Sequence, residues 1–523
     1  MPEAMTSALE PDQPRSKSWF ASGPAIVLYI ACAKLLLHVL TASHYGYFRD
    51  ELYYLACGEH LDWGYVDQPP LIAVIAWFSR AVFGESLLAI RFLPALASAL
   101  LVLLTALIAR EFGGKRFALA FSALTVALTA IYLIMGHLLT MNAFEPLIWM
   151  GCAYVVIRII KTGNQKLWIW FGVLAGLGLE NKYSMAVFGF GVVVGLLLTP
   201  ARRFLAHKWI WIAGAIAFLI FLPNLVWNIR HHWPFFELMR NIRASGRDIE
   251  LGPVQYVLQQ ILLMNPVAFP IWLAGLLFLM FARDGKPYRL LGWAYLTTLT
   301  AFIVLHGKNY YPTPAYPMLL AAGAVVIERA LSHGRREWLK SAIVIVLVAA
   351  TIPLLPVVVP VLSVETYLRY QEKLPFELPR SERGHLAAAL PQYYADNFGW
   401  EEMTAAVARI YNSLPPEERA KTAIVGNNFG ESGAIDFFGK RYGLPKSIGV
   451  HQSYFLWGPR NYTGEIMIVL GDRPDALRRL CNQVEIAAEL SHPYNPMENG
   501  PVLVCRGLKW NLQEVWPRVK KWD

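Results

Sequence analysis

Three stretches of this sequence carry residue types that do chemistry, and they lie far apart in the chain. The first, His44–Leu71, reads HYGYFRDELYYLACGEHLDWGYVDQPPL. Asp50 and Glu51 stand side by side, and Asp67 follows just before Pro69 and Pro70. Carboxylates at an apolar boundary are costly unless solvated or paired, and such surroundings raise their pKa toward the range of a general base. Tyr45, Tyr47, Phe48, Tyr53, Tyr54, Trp63 and Tyr65 crowd around them, a packed surface of the kind on which sugar rings stack. The bland alternative is an ordinary charged loop; the aromatics and the direct run into an apolar segment argue for an ordered one. The second stretch, HGKNYYPTPAYP (His306–Pro317), offers His306 and Lys308 as cationic donors and the hydroxyls of Tyr310 and Tyr311. A lysine snorkelling to a membrane interface is the competing account of Lys308. The third begins at Asn228, reads NIRHHWPFFELMRNIRASGR, and carries Arg230, His231, His232, Arg240, Arg243 and Arg247. Arginine forks suit phosphate and pyrophosphate. The pair His231 and His232 has no spaced partners of the kind a metal site needs. Two further polar clusters, Met141–Glu145 and Glu180–Tyr183, interrupt apolar sequence.

The elements that must position these residues are membrane helices. The chain has 523 residues, of which 56% are hydrophobic and only 16% charged, against about 25% charged in soluble domains. Its 18 Trp and 24 Tyr suit two interfacial belts. Apolar runs long enough to cross a bilayer are expected near residues 24–42, 88–109, 117–136, 143–160, 167–181, 184–200, 209–227, 255–281, 290–306, 314–331 and 341–362. That predicts a polytopic α-helical membrane protein with about 11 transmembrane helices. The run Pro70–Phe83 is too short for a span and reads as an interfacial or re-entrant helix. The formal net charge of +10 is concentrated between apolar runs, so it reads as a topology signal and not as a nucleic-acid face. One set of short connections holds Arg15 and Lys17, Arg110–Arg116, Arg158–Lys166, Arg202–Lys208, Arg283–Arg289 and Arg329–Lys340. Basic short loops face the cytoplasm. The polar start of the chain then lies inside, with an uncleaved first span. The three chemical stretches lie together on the outer face.

The spans stop near residue 362. Residues 363–523 show short β-like runs at Thr422–Gly426, Ile466–Gly471 and Pro501–Cys505, separated by helical patterns such as Glu401–Leu414. The expected division is a membrane domain, 1–362, and an outer α/β domain, 363–523. Neither carries a GxGxxG or a P-loop. Cys481 and Cys505 would pair in an oxidising space; two free thiols are the alternative.

The runs RDELYYL, DQPPL and KNYYPTPAYP resemble those of bacterial family 39 glycosyltransferases, the superfamily of protein O-mannosyltransferases and lipid A aminoarabinose transferases. The resemblance covers roughly residues 25–330. It implies a GT-C-like fold with a periplasmic C-terminal domain, set in the bacterial inner membrane. It also implies an outer-face active site that takes sugar from a polyprenyl-phosphate carrier, in keeping with the missing nucleotide signature. Asp50 and Glu51 match the family's first-loop acidic pair, Asp67 an acidic position before Pro-Pro, and Lys308 and Tyr310 a late Lys/Tyr motif beside the donor. Where the aminoarabinose transferases have a lysine after that acid, this chain has Gln68, which argues against their substrate.

The expected reaction is a single displacement onto a hydroxyl of an envelope lipid, polysaccharide or protein. Asp50 acts as base, and Glu51 or Asp67 orients the acceptor or holds a divalent cation, whose involvement stays open. Lys308 and Tyr310, with Arg230, His231, His232 and Arg240, hold the donor phosphate. A flippase or transporter of lipid-linked saccharide would also explain the spans, but would place polar groups near the midplane. A lipid-linked-glycan ligase is a second rival.

Overall fold

The computed structural model describes residues 20, 22–332, 336–375 and 388–523. Arg15, Lys17 and Arg335 lie outside the described residues. Among the described residues the main helices before the sheet domain are α1 Gly23–Thr41, α2 Arg49–Glu59, α3 Leu71–Phe83, α4 Leu87–Glu111, α5 Arg116–Leu128, α6 Ala130–Met135, α7 Met141–Thr162 and α8 Trp168–Asn181. They continue as α9 Ser184–Leu197, α10 Lys208–Arg230, α11 Pro234–Ser245, α12 Pro253–Leu263, α13 Phe269–Phe281, α14 Arg289–Val304, α15 Tyr316–Ala330 and α16 Trp338–Thr351. Helix starts follow local chemistry: Ser22 caps α1 through the Ala25 amide and Ser86 caps α4 through that of Ala89.

Among the described residues, α1, α4, α7, α10 and the segment Trp338–Val358 are long and apolar enough to cross a membrane. Two bent pairs raise that to seven if each counts once: α9 with Pro200–Ala206 (105°), and α12 with Pro266–Phe281 (99°). The eleven spans expected from apolarity are thus not eleven long helices. Run 117–136 divides at Thr129, which is extended. Run 255–281 turns at Asn265, whose φ is 73°, just before Pro266. Helices α8, α14 and α15 have 14, 16 and 15 residues. Between α13 and α15, Gly275 and Gly323 face each other's backbone so closely that a Cβ on either would strike a carbonyl, the small-residue contact expected in a membrane bundle. Helix α4 runs through the middle and touches α1, α5, α7 and α15. Helix α3 is the expected short apolar helix, with Val74, Trp77, Phe78, Val82 and Phe83 exposed along it.

Beyond the bundle a mixed five-stranded sheet is built from β1 Thr422–Gly426, β2 Ile448–Gly449, β3 Ile466–Leu470, β4 Cys481–Leu490 and β5 Gly500–Leu508, in the order β2-β1-β3-β5-β4. β1 runs parallel to β2 and β3, and β5 antiparallel to β3 and β4. Cys481 and Cys505 form a disulfide joining β4 to β5. Helices Trp400–Ser413 and Phe429–Phe438 cover one face. The core beneath them includes Leu52, which belongs to α2. The sheet domain therefore sits directly on the helix that carries the acidic pair.

Candidate active site

Helix α2 is polar at its start and aromatic in its middle. Its first turn is closed by Glu51, whose Oε2 accepts the Phe48 amide at 2.9 Å, a cap favoured by the helix dipole. Neighbours in a helix point about 100° apart, so the adjacent acids diverge. Glu51 points inward and is fully buried. Arg91 grips both its oxygens (Nε to Oε1 2.9 Å, Nη2 to Oε2 2.8 Å), and the Leu139 amide donates to Oε1 at 2.9 Å. The same guanidinium donates to the Ala42 and Gly46 carbonyls, both at 2.8 Å, and to Asn397 Oδ1 at 3.1 Å. Glu51, which the sequence groups with the reacting acids, is thus the anchor of a clamp joining α2, α4, the 137–140 turn and the outer domain.

Asp50 points the other way. Its side chain is 30% exposed, 3.7 Å from Arg49 Nε. Arg49 in turn reaches Asp396 at 3.6 Å and lies over the Phe429 ring. Asp67 lies close enough for the Asp50 charge to act on it, and it accepts the Tyr53 hydroxyl at 2.9 Å. Burial pushes the Asp67 carboxyl up to about 7 and Asp50 adds to this, while the Tyr53 hydrogen bond and Arg247 pull it down. Gln68 is buried and turned inward, its amide 3.7 Å from Cys57 Sγ.

Opposite these acids stand cations and aromatics from four other segments. Lys308 Nζ is 3.7 Å from Asp248. The strap that carries it is pinned by Tyr256, which donates to the Lys308 carbonyl at 2.9 Å, and by Gln260, which donates to that of Asn309 at 2.7 Å. Tyr310 comes close enough to α2 to act on Tyr54, as Asp50 does. Lys182 Nζ lies over the rings of Tyr311 (4.3 Å) and Tyr310 (5.3 Å). It also donates to Asn142 Oδ1 at 2.6 Å and Glu145 Oε2 at 3.2 Å. The two polar interruptions, 141–145 and 180–183, are therefore one cluster, closed further by Ser184 on Glu145.

The basic stretch after Asn228 divides. Arg247 acts on Asp67. Arg230 and His231 instead line a separate pocket of about 460 Å³ with Asp62, Trp63 and Trp227. There Trp227 Nε1 donates to Asp62 at 2.7 Å and His231 stacks on the Trp227 ring at 4.0 Å. His232 and Arg240 are exposed on the surface. Lys182 and Arg247 were noted in their stretches of sequence but given no part in the site. The signal was present, because both are basic residues in stretches expected outside. Among the described residues no group of three or more His, Cys, Asp or Glu could hold a metal ion.

A search against family models matches residues 67–227 to the family described as dolichyl-phosphate-mannose-protein mannosyltransferase. The fold matches that of ArnT from Cupriavidus metallidurans, with a TM-score of 0.59 without ligand and 0.58 with undecaprenyl phosphate bound. Each match is 14% identical and covers 91% of this chain and 97% of the other. The chain shares the fold of that protein. The oligosaccharyltransferase of Archaeoglobus fulgidus shares it at a TM-score of 0.53, 12% identical, over 82% of this chain and 64% of its own. Among curated proteins, the lipid A galacturonosyltransferase RgtD of Rhizobium johnstonii is 27% identical over 319 residues. That alignment takes in 56% of this chain and spans 63% of the relative's length. The GT-C resemblance carried by the sequence motifs is thus met by the whole fold, including the outer sheet domain.

Proposed function

We propose that this protein is an integral membrane glycosyltransferase that moves a sugar from a polyprenyl-phosphate carrier to a hydroxyl of a cell-envelope acceptor. The observation that carries the reading is the meeting of Asp50 and Asp67 with Tyr54, Tyr310 and Arg247, with Lys308 on Asp248, the neighbour of Arg247. The undecaprenyl phosphate in the ArnT structure and the lipid A named for the Rhizobium relative support a lipid-linked donor and a glycolipid acceptor. The galacturonosyl group named for the same relative supports a hexuronic acid over a pentose. The site faces the periplasm, and the chain starts in the cytoplasm of a bacterial inner membrane. The basic short loops and a disulfide that persists in oxidising compartments support that orientation.

Asp50, the more open carboxylate, takes the proton of the acceptor hydroxyl as its oxygen attacks the anomeric carbon. The bond from that carbon to the carrier phosphate breaks, and polyprenyl phosphate leaves with one more negative charge. Lys308 and Arg247 stabilise that charge from fixed positions, and Lys182 holds the tyrosines that flank it. Asp67, as carboxylate, orients the acceptor. Residues 1–362 supply the carrier's lipid path and 363–523 the acceptor's cover. Arg230 and His231, on the pocket they share with Asp62, Trp63 and Trp227, meet the head group of the acceptor lipid.

Purified protein in detergent would be incubated with radiolabelled polyprenyl-phosphate sugars and lipid A, beside Asp50→Asn. Transfer by the wild type and a loss of at least about 10²-fold in the variant are expected. Equal rates would remove Asp50 from the mechanism. No transfer by folded wild type with any donor would favour a transporter.

A further inference from the structure

The outer domain contributes a residue that nothing in the sequence motifs marks. Ser453 stands at the start of the short helix Gln452–Trp457, held inward by Gln452 at a φ of 48°. It is 1% exposed, as is Tyr53. Its Oγ lies 2.7 Å from the Tyr53 hydroxyl and accepts the Val66 amide at 3.2 Å, one residue before Asp67. Tyr53 in turn lies 2.9 Å from Asp67 Oδ1. Its ring is fixed by Phe429 at 4.7 Å, itself stacked on His451 at 5.2 Å. Both clamping rings come from the outer domain.

The hydroxyl count of this chain has a consequence. Tyr53 has one proton and two acceptors within reach, so the three groups form a line whose direction depends on Asp67. With Asp67 ionised, Tyr53 donates to the carboxylate and Ser453 donates to Tyr53. With Asp67 protonated, the carboxyl donates to Tyr53 and Tyr53 donates to Ser453. Every oxygen stays paired in both states, and no heavy atom need move. We propose that Tyr53 and Ser453 are positioning residues through which the outer domain sets the direction and protonation of the Asp67 carboxyl. Asp67 is then not a property of its own loop alone: docking of a segment 400 residues from Tyr53 in sequence completes its environment.

The proposal rests on Asp67 belonging to the reacting site, but its test does not need activity. The infrared band of the protonated Asp67 carboxyl, assigned by its disappearance in Asp67→Asn, would be titrated in full-length protein. Tyr53→Phe keeps the ring and removes the hydroxyl that favours the ionised form, so the midpoint should rise by about one pH unit. Ser453→Ala, which touches neither Asp67 nor α2's backbone, should shift it the same way by less. Midpoints unchanged in both variants would overturn the proposal. Where transfer is measurable, the acid limb of its pH profile should move with the band; a folded variant whose rate falls at all pH values alike would also overturn it. Absence of transfer by the wild type would sink the proposed function and leave the titration to decide this one.

Discussion

Asp50 and Glu51 are chemically near-identical and adjacent in sequence, yet one opens to the site and the other is sealed beneath it. The chain reports the pair; only the helix phase of α2 and the position of Arg91 separate the two acids. Glu51 and Arg91 are 40 residues apart, and nothing local marks Arg91, on an apolar helix, as the partner of a first-loop acid. Asp67 was legible as an acid, but not its burial or its partner Tyr53, whose hydroxyl also meets Ser453 of the outer domain. Its elevated pKa is also a stability statement. Unfolded, the carboxyl titrates near 3.8; folded, at about 7. The folded state therefore holds the proton more tightly, and the stability this gives, full below the unfolded value, is lost as the pH rises toward 7. Asp67→Asn should melt at a higher temperature than wild type near pH 8 and close to it near pH 4. Thermal unfolding in detergent at the two pH values checks this, and an unchanged difference would show that Asp67 is solvated.

Elements were easier to find than their directions. Apolarity marks a segment as membrane-embedded but says nothing of where it turns, so the bend at Asn265–Pro266 and the break at Thr129 were hidden inside continuous apolar runs. Strands β1, β3 and β5 announced themselves by short apolar runs; β4, with Asn482, Gln483, Glu485 and Glu489 along it and much of it exposed, carried no such pattern. Helix α2 was read as loop because its partner surface is another domain. That partner approaches to backbone distance: a Cβ on Gly433 would lie 3.0 Å from the Leu52 carbonyl carbon and oxygen. Small residues at this contact let helix Phe429–Phe438 press on α2 and bring Phe429 and Ser453 to Tyr53. Gly433→Val should therefore wedge the domain away at a cost of about 1–3 kcal/mol of docking. Transfer should fall while the bundle stays folded, and limited proteolysis should cut faster between residues 363 and 400. An intact proteolysis pattern with full activity would mean that the contact is slack.

At the scale of the whole molecule the two parts form one packed body, because the clamp at Arg91, the contact at Phe429 and the hydrogen bond between Tyr53 and Ser453 all cross between them. The outer domain must therefore be rigid where it meets α2, and its sheet is stiffened at the far edge by the bond between Cys481 and Cys505, 24 residues apart. Closing a loop of that size withdraws roughly 3 kcal/mol of entropy from the unfolded chain. The bond also distinguishes compartments, since it forms where thiols are oxidised, and in the proposed orientation the basic loops 110–116 and 202–208 lie on the opposite side of the membrane. Peptide mapping without reduction should recover Cys481 linked to Cys505 in protein from membranes, with Cys32, Cys57 and Cys152 unlinked and the buried Cys57 and Cys152 alkylated only after denaturation. Protein made in cells unable to form periplasmic disulfides, or Cys481→Ser with Cys505→Ser, should retain the bundle but lose stability in the outer domain by about that amount. A full complement of free thiols in membrane-derived protein would instead place residues 363–523 in the cytoplasm, and with them the face that holds Asp50 and Asp67.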